Sequence, residues 1–139
     1  MELDMLIPIL IAGICTGISV FGVIRKSADM LRLGLFIYSV MVTALNLAGH
    51  IETGGQGELF TAALFAVQAI FSYPKYPEPD FTNPSVQAFG VRIALCIFTI
   101  NAFSAYMALT VVEFPSFVAI FHGVYCAIAL MRLVQINKS

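Results

Sequence analysis

Charge is scarce in this chain. Seven basic and eight acidic residues amount to 11% of 139 positions, whereas a soluble domain carries about 25%. A fold this small exposes a large share of its residues, and so few charges cannot furnish a water-facing surface. The net charge of −1 leaves no basic footprint for nucleic acid. Tryptophan is absent, and the three cysteines, Cys15, Cys96 and Cys126, stand far apart in apolar runs. That spacing excludes a disulfide framework or a zinc motif and leaves them as small hydrophobes. Nucleophile-elbow, phosphate-loop, metalloprotease and dinucleotide-binding signatures are all missing. So is a basic start of the kind that opens a secretory signal peptide, and the acidic MELD leads to the expectation that the first helix is retained.

Hydrophobic residues are plentiful, at 60% of the chain, with a mean hydropathy of +0.93. They fall into five runs, at about residues 5–24, 33–49, 59–73, 88–112 and 116–135. A spanning helix needs about 20 mostly apolar residues. The expected fold is therefore all-α: one integral membrane domain over residues 1–139, a bundle of five transmembrane helices. Pro8 is expected in the first turn of the first helix, where it does little harm. The third run is short and must thin the bilayer or be sheltered by its neighbours. A rival reading makes it re-entrant and leaves four spans. Pro74, Pro77, Pro79 and Pro84 mark residues 74–87 as an extended, proline-rich loop. Glu113-Phe114-Pro115 predicts a tight turn between the last two helices.

The basic residues are Arg25, Lys26, Arg32, Lys75, Arg92, Arg132 and Lys138. Five alternating spans gather all seven on one side, and Arg92 and Arg132 reach that surface by snorkelling. Glu2, Asp4, Glu52, Glu58 and Glu113 fall on the other. The positive-inside rule then places the N-terminus outside and the C-terminus inside. The membrane expected is a cell inner or plasma membrane, or that of an energy-transducing organelle.

No Asp, Glu or Lys lies in the middle of a run. This removes the ionisable groups that ion carriers keep at membrane depth, and the buried Asp that serine-histidine catalysis needs. The polar intramembrane candidates are Ser39, Asn46, Gln68, Asn101 and His122, with hydroxyls on Thr43, Ser104 and Tyr106. They can bond helices together or line a pathway. His50 and His122 invite haem or pigment ligation, although their depths differ by roughly 10 Å. His50, Glu52 and Glu58 are metal-ligand types without a compact motif. Gly13 and Gly17 form a GxxxG strip, and Ala62 and Ala66 a similar small-residue face, for close helix packing within the chain or between subunits. The segment PKYPEPDFTNPS, with Tyr73, Tyr76 and Phe81 among prolines, has the composition of a docking loop.

Residues from about 20 to 71 carry a further pattern. Arg25-Lys26 precede a helix containing Met41, Ala44, Asn46 and Leu47. Gly55-Gln56 follow, then Ala66-Val67-Gln68-Ala69-Ile70. In order and rough spacing this resembles the three-helix K-type membrane subunit of respiratory complex I, which is similar to the C-type subunit of multisubunit cation/proton antiporters. The first loop is about three residues longer here, and two more helices follow. The family's two membrane glutamates fall on Ser39 and Gln68, which do not titrate. The resemblance thus implies a place in a larger energy-transducing assembly without the proton relay.

Three functions follow as expectations. One is a non-catalytic membrane subunit of a larger, bioenergetic complex, whose partners are the lipid bilayer and other subunits or copies of itself. Another is a small homo-oligomeric channel or transporter lined by Asn46, Gln68, Asn101 and His122. The third is a haem- or pigment-binding protein using His50 or His122.

Overall fold

A computed structural model describes residues 3–111 and 116–138, and every regular element in them is a helix. They are α1 (Leu3–Ile24), α2 (Ala28–Thr53), α3 (Gln56–Phe71), α4 (Pro84–Thr110) and α5 (Val118–Asn137). Four of them, all but α3, are long and apolar enough to cross a membrane. At about 1.5 Å per residue α3 measures about 24 Å. Glu2 and the turn Glu113-Phe114-Pro115 lie outside the described residues.

Local chemistry sets boundaries that differ from the hydrophobic runs. α2 starts at Ala28, not 33, because the Ser27 hydroxyl accepts from Met30 N and caps it. Asp29 sits in its first turn and pairs with Arg32 at 3.2 Å. The charged stretch 28–32 is therefore helix, and the α1–α2 connection shrinks to three residues, with Lys26 at φ 57. At the other end Gly54 takes φ 71, the left-handed cap, and donates its N–H to His50 O. Pro84 does not belong to the loop. It opens α4 at N1/N2 behind Asn83, whose side chain accepts from Ser85 N. Pro8, in turn, lies beyond the first turn, because α1 begins at Leu3.

The five helices close into a ring. α1 packs on α2, α2 on α3, α3 on α4, α4 on α5, and α5 returns to α1. Among the described residues no other pair of helices brings its backbones together. The α1–α2, α2–α3 and α4–α5 seams are extensive, and the α3–α4 and α1–α5 seams are sparse. The ring thus divides into a three-helix body, α1–α3, and a pair, α4–α5.

Its exterior is apolar where a soluble protein's is polar, and polar side chains join the hydrophobic residues inside. Gln68, Asn101, Ser39 and Ser19 are fully buried, whereas Ile7, Ile14, Ile51, Leu109 and Ile120 are exposed, Ile51 by 76%. In water such a surface would drive association. In hydrocarbon it is the favourable solvent-facing side. With four helices of spanning length, this is the construction of a multi-pass membrane protein.

The close backbone approaches are not at GxxxG. Gly13 and Gly17 point outward, and among the described residues nothing lies within 4 Å of a Cβ built on either. The tight sites are Gly22, against the backbone of Leu31, and Gly34, against Ser19 Oγ and the Cys15 carbonyl. Ala62 is buried, and Ala66 is half-buried.

A hydrogen-bonded septum between two cavities

Four sequence candidates meet at the centre of the ring. Gln68 Nε2 donates to Ser39 Oγ at 3.0 Å. Asn101 Nδ2 donates to Gln68 Oε1 at 2.9 Å. His122 Nδ1 lies 3.2 Å from Asn101 Oδ1 and 3.1 Å from Tyr38 Oη. The belt crosses α2, α3, α4 and α5, one residue or more from each. Two backbone carbonyls anchor it: Ser39 Oγ donates to Leu35 O at 2.6 Å, and Asn101 Nδ2 also donates to Ile97 O at 2.9 Å. In hydrocarbon these groups have no water to turn to, so pairing them is what makes their burial tolerable.

Aromatic rings fill the same level. Tyr38 and Tyr125 lie 4.6 Å apart between centroids. Phe65 packs on Tyr38 and on His122, at 6.1 and 5.5 Å. Tyr125 and Ser19 hydroxyls are 3.3 Å apart, and Ser19 Oγ also donates to Leu31 O at 3.3 Å, which ties in α1. Belt and rings together form a septum.

A cavity lies on each side of it. One, of about 550 Å³, is lined by Ala12, Tyr38, Met41, Asn46, Glu58, Thr61, Ser104, Phe121 and His122. The other, of about 590 Å³, is lined by Leu31, Arg32, Leu35, Ile93, Ala94, Tyr125 and Arg132, with Phe81 and Pro77 from the α3–α4 connection. The first opens towards the ends of the helices that carry Glu52 and Glu58, and the second towards the ends that carry the basic residues. We term them the acidic-end and basic-end cavities. Both have the volume and mainly apolar lining of small-molecule sites.

The connection at the basic end is strapped down. Arg32 Nη1 and Nη2 donate to Pro77 O at 3.4 and 3.3 Å, and Glu78 lies 3.9 Å from Nη2. The Arg132 guanidinium sits 5.1 Å above the Phe81 ring. Asp80 accepts from Thr82 N and Oγ1 at 3.0 and 2.6 Å, and these bonds hold its carboxyl below the usual carboxylate range.

Other candidates stay outside the belt. Asn46 returns its amide to Val42 O and lines the acidic-end cavity. Ser104 and Thr43 bond back to Ile100 O and Ser39 O on their own helices. Tyr106 is exposed. His50 Nδ1 is 2.8 Å from Gly55 O in the α2–α3 turn. Among the described residues no three His, Cys, Asp or Glu side chains come together as a metal site, so His50, Glu52 and Glu58 do not assemble into one. Arg25, Lys26, Lys75, Arg92 and Lys138 serve the basic end without touching the cavity. Sequence reading missed Tyr38, Tyr125 and Ser19, the tyrosines because they read as ordinary core. Ser19 shares the helical stripe Ala12, Cys15, Thr16, Val23, and that period was the available signal.

Comparison with models of known families, with curated proteins and with solved structures finds no match.

Proposed function

We propose that this chain is a membrane carrier that takes small uncharged amphipathic molecules into its helix ring and passes them between the two sides of the septum. One observation supports this above the rest: two cavities of near-equal size, about 550 and 590 Å³, lie on opposite sides of a single hydrogen-bonded partition. The absence of Asp, Glu and Lys from the middle of the helices argues for an uncharged cargo. The interior belongs to one chain, so a pathway does not require several copies. The sparse α3–α4 and α1–α5 seams supply the natural line of movement between the three-helix body and the α4–α5 pair.

In this reading α3 is a fifth span. Its first turns (Gly57, Glu58, Thr61) line the acidic-end cavity and its last residues (Ile70, Phe71) the basic-end cavity. Reaching both cavities supports a span over a re-entrant segment. The basic end, with all seven Lys and Arg, faces inward, and the N-terminus lies outside.

The test is permeation into proteoliposomes of a panel of uncharged solutes graded from glycerol to monoalkyl glycerols. Saturable acceleration over protein-free vesicles, lost in Gln68→Leu, is the expected result. Unchanged permeability to every member, with the protein folded, contradicts the reading.

A second reading, a non-catalytic subunit of a larger membrane complex, draws on the outward face of α1. Among the described residues nothing lies within 4 Å of a Cβ built on Gly13 or Gly17 there, and a small-residue face of this kind suits another helix. Native purification in mild detergent tests it: a lone monomer that is unchanged by Gly17→Leu counts against it.

A further inference from the structure

We infer that the acidic-end cavity recognises a hydroxyl group on its ligand through His122 Nε2, so that the cargo is a hydrogen-bond donor with an apolar body. This rests on the proposed carrier reading for its setting, and on the septum for its chemistry. Hydrogen-bond direction can be traced along the belt. A carbonyl only accepts, so the Asn101 atom facing Ile97 O at 2.9 Å must be the amide nitrogen. Its oxygen then faces His122 Nδ1 at 3.2 Å. Two acceptors cannot meet there without a proton between them, so Nδ1 carries the hydrogen. It points to Asn101 Oδ1 at 3.2 Å, and Tyr38 Oη lies 3.1 Å from the same nitrogen. A neutral imidazole protonated at Nδ1 has a bare lone pair at Nε2.

That nitrogen is open. Nε2 has no hydrogen bond to the described residues, and it is not among their sealed side-chain polar atoms. His122 itself is 5% exposed and lines the acidic-end cavity. The wall is mainly apolar, with Ala12, Met41, Leu45 and Phe121, and Asn46, Glu58, Thr61 and Ser104 add polar groups to it. An acceptor held in place by the belt, in a chamber whose wall is mainly apolar, favours a molecule that brings a donor. A ligand with only acceptors would set two lone pairs against each other in a medium without water. Phenols and alcohols meet the requirement, and ethers and ketones of the same shape do not.

A matched pair tests this without knowing the natural cargo: 4-hexylphenol and its O-methyl ether, 4-hexylanisole. Binding to the protein in lipid nanodiscs is read by saturation-transfer NMR, with empty nanodiscs as the partitioning control. The phenol should bind roughly three- to tenfold more tightly, the range of one net hydrogen bond. His122→Phe should erase the difference. The nitrogen-15 spectrum of His122 provides a check that needs no variant, and it should show Nδ1 protonated and Nε2 bare. Equal binding of phenol and ether, binding of neither, or an Nε2-protonated ring overturns the inference. Phenol preference without accelerated flux leaves the inference standing and removes the carrier reading. Flux without phenol preference does the reverse.

Discussion

Asn101 on α4 donates to Gln68 on α3 at 2.9 Å, across a seam with sparse contact between helices. Both side chains are fully buried. Removing either takes one partner from the other, Gln68 Oε1 or an Asn101 Nδ2 hydrogen, in a non-aqueous interior, at a cost of about 1–3 kcal/mol. Gln68→Leu and Asn101→Leu should each lower the thermal midpoint in detergent. The double variant should cost less than the sum, with a coupling of about 0.6–1.7 kcal/mol. Strict additivity would mean that the two amides do not interact.

The glycines predict a contrast. A Cβ at Gly34 would overlap Ser19 Oγ and the Cys15 carbonyl, so Gly34→Ala forces α1 and α2 apart. The cost should be about 1–3 kcal/mol. Gly13→Ala and Gly17→Ala meet open space and should leave monomer stability unchanged or raised. Parallel thermal melts of the three variants check the order.

Arg32 holds the α3–α4 connection through Pro77 O, and Lys75 in that connection is exposed. Arg32→Gln should free the strap and speed tryptic cleavage after Lys75 by roughly two- to tenfold, the equilibrium worth of one such bond. An unchanged cleavage rate would show that the guanidinium does not restrain the loop.

Asp80 gives a pH prediction for the same connection. Its carboxyl is held low by bonds from Thr82, so the stabilisation it adds is complete above the range of an unfolded carboxylate. It disappears as pH falls through the folded value. Amide exchange at Thr82, corrected for intrinsic pH dependence, should lose its protection on acidification, and Asp80→Ala should have lost it at every pH.

Much of the septum was legible in the sequence. Ser39, Gln68, Asn101 and His122 stand out because a polar side chain in an apolar run carries a desolvation cost that something must offset. Their meeting was not legible, since it depends on how each helix is rotated about its axis. The same rotation turns Gly13 and Gly17 outward and makes Gly22 and Gly34 the contact points. Tyr38 and Tyr125 were hidden for a different reason, because an aromatic in a membrane helix is ordinary until its hydroxyl is seen to have a partner. Helix boundaries moved where capping outweighed hydrophobicity, at Ser27 and Asn83.

Single cysteines in the two cavities give the decisive measurement. Thr61→Cys reports the acidic-end cavity and Ile93→Cys the basic-end cavity, each in a chain with Cys15, Cys96 and Cys126 changed to Ala. A membrane-impermeant thiol reagent is applied to sealed vesicles from outside, and then from inside. A ring divided by a septum predicts that the two positions label from opposite sides. Labelling of both from the same side would contradict it.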